Sequence, residues 1–229
     1  AFRAEYVPPT GRLVSETQTA LILALHFDMV PDEYRQRLLA TLEKNIGAHK
    51  THLLTGFIGT PFACLTLSEN GKHDLAGKLL LQEDNPGWLY EVKMGATTIW
   101  ERWNSIQPDG SFNHDNMNSL NHYAYGSIGN WLYTKLCGLE SVEPGYKKFA
   151  LHPQFINGIP HAELEYESVY GKIAIAWRCE DRKITVDVTV PANTTAALTL
   201  PESDETLTLG SGSYHYEYPT ETDLKKDRY

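Results

Sequence analysis

Apolar positions in the first part of the chain recur at helical spacing. Leu21, Ile22, Ala24, Leu25 and Met29 form one such face, and Ser15 with Gln18 three residues on predicts a capping box at its start. Pro31 suits the first turn of a second helix, with Asp32 and Glu33 at its positive end. Leu38, Leu39, Leu42 and Ile46 continue that helix, and Gly47 is its expected C-cap. Shorter helices are predicted around residues 61–67 and 72–82, split by Ser68-Glu69-Asn70-Gly71, and another opens at Pro86 and runs to Lys93. Leu120, Tyr123, Ala124, Ile128, Trp131, Leu132 and Leu136 predict a last helix that ends at Gly138. Paired helices with short joints are the pattern of a helical bundle or an α/α toroid.

Past Gly145 the apolar period changes to two. Ile173 and Ile175 share one side of a strand, as do Ile184, Val186, Val188 and Val190 of the next. Glu180-Asp181-Arg182 makes the turn between them. Residues 196–200, 206–209 and 213–218 read as further short strands, punctuated by Pro191, Pro201 and Gly210. A meander of antiparallel strands predicts a small β-sandwich, and the charged tail 220–229 is expected to fray. The expected division is therefore a helical domain over 1–145 and an antiparallel β-sandwich over 146–229.

The composition fits two packed domains. Of 229 residues, 41% are hydrophobic and 21% charged, which excludes a disordered or collagen-like chain. The formal charge of −9 argues against nucleic acid or an anionic membrane as a partner held by bulk charge. Cys64, Cys137 and Cys179 are too few and too scattered for a disulfide framework or a metal set, and their isolation leans towards a cytoplasmic origin. No apolar run reaches the ~18 residues of a spanning helix. The chain does not start with Met, which is read here as a piece of something longer.

Chemistry concentrates in residues 94–125. This stretch holds Trp100 and Trp103, several Asn and His, and a carboxylate, Glu101, set between Trp100 and Arg102. Loops rich in aromatic and amide side chains suit carbohydrates: rings cover the apolar sugar faces while amides and carboxylates bond the hydroxyls. A Glu flanked by indoles can act as a general base on water. The competing structural reading pairs Glu101 with Arg102 and places both Trp residues in the core. His49-x-x-His52 lacks a third metal ligand, and residues 109–115 lack the Glu and the glycine register of an EF-hand, so neither predicts a metal site. Lys147-Lys148 reads as a solvated face, the alternating Tyr214, Tyr216 and Tyr218 as sheet packing, and Asn193-Thr-Thr as a glycosylation sequon by pattern.

Several ordered motifs resemble one family. Thr97-Thr98-Ile99-Trp100-Glu101-Arg102-Trp103, then Met117-Asn118-Ser119-Leu120-Asn121-His122-Tyr123-Ala124-Tyr125-Gly126, are similar to the α-L-rhamnosidases of glycoside hydrolase family 78. So are Gly56-Phe57-Ile58-Gly59-Thr60-Pro61 and residues 139–155, with Pro144-Gly145-Tyr146 and His152-Pro153. The resemblance implies the second half of an (α/α)6 barrel followed by the family's terminal β-sandwich. It implies an inverting hydrolase of terminal α-L-rhamnosides, with Glu101 as general base, His122 as a sugar contact, and Trp100 and Trp103 shaping or supporting the pocket. It calls for no metal or cofactor. The family's general acid lies upstream in an Asp- and Arg-rich motif that these residues lack, so the missing upstream part of the same enzyme is the implied partner, beside a rhamnose-containing glycoside. This chain alone is expected to be inactive or incomplete. The alternatives are a carbohydrate-binding module, an inverting phosphorylase on the same barrel, and a structural or interaction protein derived from the enzyme.

Overall fold

The computed structural model describes residues 1–224, and the chain divides into two compact units, Ala1–Ile128 and Gly129–Tyr229. The first unit is helical: α1 (Phe2–Tyr6), α2 (Gln18–His26), α3 (Asp32–Ala48), α4 (Thr60–Glu69), α5 (His73–Leu80) and α6 (Trp88–Lys93). The N-cap of α2 is Thr17, whose side chain accepts from the Ala20 amide, and not Ser15. Gln18 is buried instead and spans to the next segment. Its Nε2 donates to His52 O at 3.1 Å, and its Oε1 accepts from Leu54 N at 2.7 Å. Helix α3 opens at Pro31 as expected but runs through Gly47 to Ala48. Its Leu38, Leu39, Leu42 and Ile46 are buried, and α2 packs against both α3 and α4. Each such side chain contributes about 1.5–3 kcal/mol by leaving water.

The helix expected to end at Gly138 is later and less regular than its apolar spacing suggests. A 3-10 turn covers Ala124–Ser127, α7 covers Ile128–Trp131, and a π-helical turn covers Leu132–Leu136. Residues 96–123 hold no helix, only an isolated bridge between Ile106 and Phe112.

The second unit carries two four-stranded sheets. One runs β1 (Leu139–Ser141), β2 (Lys148–Leu151), β6 (Thr195–Thr199), β7 (Thr206–Leu209). The other runs β3 (His161–Ser168), β4 (Gly171–Glu180), β5 (Lys183–Val190), β8 (Gly212–Pro219). The hairpin at residues 180–182 is present, and β4 buries Ile173, Ile175, Trp177 and Cys179 on one face. One feature corrects the expected antiparallel meander: β2 and β6 pair in parallel, Phe149 opposite Ala196 and Leu151 opposite Leu198. Such a pair needs a long crossover, here the chain that carries β3, β4 and β5. Thr220 and Leu224 are buried, so this part of the tail is held down. The remainder of the tail, which was also expected to fray, lies outside the described residues.

Candidate functional site

The long loop and the 3-10 turn meet through backbone hydrogen bonds. His122 N donates to Ile99 O at 2.8 Å, Glu101 N donates to Ser119 O at 2.9 Å, and the Thr98 hydroxyl donates to Leu120 O. Thus the segments around Glu101 and His122, separate in sequence, lie side by side with no regular strand.

Glu101 is half-buried and bound to Ser119 twice. Besides the main-chain bond, Ser119 N donates to its Oε2 at 3.0 Å. Its Oε1 accepts no hydrogen bond among the described residues. Arg102, the partner of the competing structural reading, turns elsewhere: its Nη1 meets Asp115 Oδ2 at 2.8 Å. That exposed ion pair contributes little stability.

His122 is half-buried and precedes the 3-10 turn. Ala124 N donates to its Nδ1 at 3.3 Å, so Nδ1 carries the lone pair and Nε2 carries the proton. The ring stacks on Phe57 at 4.6 Å between centroids, tilted by 20°, and lies beside Tyr123 at 5.5 Å. Phe57 comes from the Gly-Phe-Ile-Gly-Thr-Pro segment, so three of the motifs singled out in the sequence converge here.

Both tryptophans are buried. Trp100 is 2% exposed and Trp103 is 7% exposed. The Trp103 ring stacks flat on Tyr125 at 3.9 Å and meets Trp88 edge-on at 5.1 Å. The indole of Trp88 donates to Tyr125 O at 2.9 Å, which ties α6 to the 3-10 turn. Trp103 Nε1 is buried with no hydrogen-bond partner among the described residues.

A second carboxyl escaped the sequence reading. Glu91 on α6 is 2% exposed, and its Oε2 accepts from Trp100 N at 3.3 Å. Burial pushes this acid up to about 8, against the opposing pull of the Trp100 amide. Burial and the nearby Glu91 also raise the Tyr125 hydroxyl. The available signal was spacing: Glu91 follows Trp88 by three, on the same helical face, and both are buried.

Among the described residues no three His, Cys, Asp or Glu side chains gather as a metal-binding group. His49 Nδ1 lies against Asn45 O and His52 Nδ1 against His49 O, both within the chain's own turns. No helix of the described residues is long and apolar enough to cross a membrane.

Comparison with known proteins places these motifs. Residues 1–136 match the bacterial alpha-L-rhamnosidase 6 hairpin glycosidase domain, and residues 138–215 match the bacterial alpha-L-rhamnosidase C-terminal domain. An alpha-L-rhamnosidase of Streptomyces avermitilis is 38% identical over 201 residues, 88% of this chain and 20% of that protein. One from Alteromonas sp. is 40% identical over 203 residues, again 88% of this chain and 22% of the relative. The crystal structure of the S. avermitilis enzyme complexed with L-rhamnose superposes with a TM-score of 0.88 at 33% identity, covering 94% of this chain and 23% of that one. The native enzyme of Aspergillus terreus gives 0.89 at 35% identity, covering 94% and 25%. The chain thus spans about a fifth of the length of the curated relatives it matches. With its helical unit, its two β-sheets and the ordered motifs around Glu101 and His122, this chain belongs to the bacterial α-L-rhamnosidase family.

Proposed function

We propose that this chain supplies the general base of an inverting α-L-rhamnosidase, within part of an (α/α)6 barrel over residues 1–145 followed by a β-sandwich over 146–229. The observation that carries the reading is Glu101: a half-exposed carboxylate with one oxygen fixed by the Ser119 amide and the other open. An inverting hydrolase places its two carboxyls roughly 6.5–9.5 Å apart on opposite faces of the sugar, with a water in front of the base. Glu101 Oε1 takes a proton from that water as its oxygen attacks the anomeric carbon. The glycosidic bond breaks on the far side, and the general acid, from residues outside this chain, protonates the leaving oxygen. His122 offers Nε2–H to a sugar hydroxyl, with its ring held in place by Phe57 and by the Ala124 amide. Trp100 and Trp103 support the pocket from behind, since both are buried. The substrate is a glycoside with a terminal α-L-rhamnose.

The test uses the longer enzyme that combines these residues with the upstream acid. Glu101→Gln removes only the proton acceptor, and kcat is expected to fall by about 10²–10⁴ with the fold intact by circular dichroism. Azide added to Glu101→Gly should yield the β-configured rhamnosyl azide, because the nucleophile enters opposite the leaving group. An α-configured product overturns inversion, and unchanged turnover of Glu101→Gln overturns the base assignment.

A further inference from the structure

The peptide unit that joins Ile99 to Trp100 lies immediately before the base and is held at both of its polar groups. Its carbonyl, Ile99 O, accepts from the His122 amide at 2.8 Å. Its N–H, on Trp100, donates to Glu91 Oε2 at 3.3 Å. The following N–H, on Glu101 itself, donates to Ser119 O at 2.9 Å. Of these three contacts, two are made by neighbouring backbone and one by a single side chain, Glu91.

The element that carries Glu91 is itself anchored. Its own carbonyl accepts from Ala96 N at 3.0 Å, Met94 N donates to Tyr90 O and Gly95 N to Val92 O, so α6 closes tightly before the loop begins. Trp88, one turn earlier, is bonded to Tyr125 O. A carboxyl on such a support is a fixed point against which a loop without regular structure can be set.

We infer that Glu91 is a positioning residue: its buried carboxyl pins the Ile99–Trp100 peptide and thereby sets both the direction of Glu101 and the seat of His122. The inference rests on the reading of Glu101 as the base. The physical reason is the Trp100 N–H, which is buried beside a side chain 2% exposed. A buried amide without an acceptor costs about 1–3 kcal/mol, so on losing Glu91 the peptide turns to find another partner. Turning it swings Ile99 O away from the His122 amide, and the two residues of the site shift together. Near neutral pH Glu91 is the neutral acid, since burial holds it up to about 8, and a neutral acid accepts through its carbonyl oxygen as a primary amide does. Tyr125 of the 3-10 turn is the titratable group coupled to Glu91 across the packing.

Three variants of the longer enzyme test this. Glu91→Leu keeps the bulk and removes the acceptor; kcat is expected to fall about 10- to 100-fold, the scale of a small misplacement of a catalytic group, while KM changes less. Glu91→Gln keeps the acceptor and should retain at least half of kcat. Glu91→Asp withdraws the acceptor by one methylene and should lose activity as Leu does, which decides the matter if the Leu variant does not fold. Glu101→Gln is assayed in parallel. If Glu101→Gln is inactive while a folded Glu91→Leu, or Glu91→Asp, turns over at the parent rate, only the positioning role falls. If Glu91→Gln loses as much as Glu91→Leu, the acceptor is not what matters and the inference also falls. If Glu101→Gln remains active, the base assignment falls and the inference with it.

Discussion

At the scale of single residues, Glu91 and Glu101 each follow an aromatic residue but have different environments. Glu101 keeps one oxygen open and takes an amide on the other. Glu91 is sealed in and takes one amide at 3.3 Å, which does not offset its burial. The consequence reaches stability as well as geometry. Below the ordinary carboxyl value of 4.5 both folded and unfolded chains hold the Glu91 proton. Above it the unfolded chain ionises while the folded one stays protonated to about 8, so folding takes up a proton and stability falls across that interval. Above about 8 the loss from this group levels off. The thermal midpoint of Glu91→Gln, followed against pH, should decline less between pH 4.5 and 8 than that of the parent; parallel curves would refute the burial of this acid. The sequence pointed to Glu101 and His122 through their motifs and missed Glu91. The one signal, its spacing of three from Trp88, is a weak one on a helix of six residues, because a surface carboxyl can stand at the same spacing.

Among the elements, legibility tracks how much of each is dictated by apolar periodicity. Helix α3 and strand β5 repeat their apolar residues over several periods, and both appear with their expected cores. Strand β3 did not announce itself. Its residues are His-Ala-Glu-Leu-Glu-Tyr-Glu-Ser, only Leu164 is buried, and its place comes from backbone pairing with β4 along the whole strand. The segment before Ala124 looked helical because Leu120 and Tyr123 continue the apolar spacing. Instead its backbone groups bond the Glu101 loop, and Tyr123 faces solvent. A site-forming contact thus overrode local propensity. At the joint between the π-helical turn and β1, the backbone of Gly138 has a φ of +76°, and an added Cβ would lie 2.1 Å from the His152 carbonyl carbon. Gly138 O also accepts from His152 N at 2.9 Å. Gly138→Ala should therefore destabilise the second unit by at least about 2 kcal/mol, read as a lower urea midpoint with an unchanged slope. A midpoint equal to that of the parent would show that this joint relaxes freely.

For the whole molecule, a helical unit followed by a unit of two sheets accords with the family motifs, while the boundary falls after Ile128, earlier than the change of apolar period near Gly145 suggested. The rings beside His122, Phe57 at 37% and Tyr123 at 89% exposure, are open to solvent. Under the proposed function, the isolated chain should not turn over an aryl α-L-rhamnoside. Adding the upstream part of the enzyme as a separate polypeptide should restore measurable turnover. Hydrolysis by the isolated chain would mean that an acid lies within these residues after all.

The parallel pairing of β2 with β6 has a further consequence for how the chain is made. Thr195 is the first residue that can give β2 its inner neighbour, and it emerges only after β3, β4 and β5. The hairpins of the second sheet close over short distances, whereas this pair must close one long loop, a slower event. A chain truncated before Thr195 would hold the β3–β4–β5 hairpins together with a bare two-stranded β1–β2 ribbon, whose inner edge at Phe149 and Leu151 has no backbone partner.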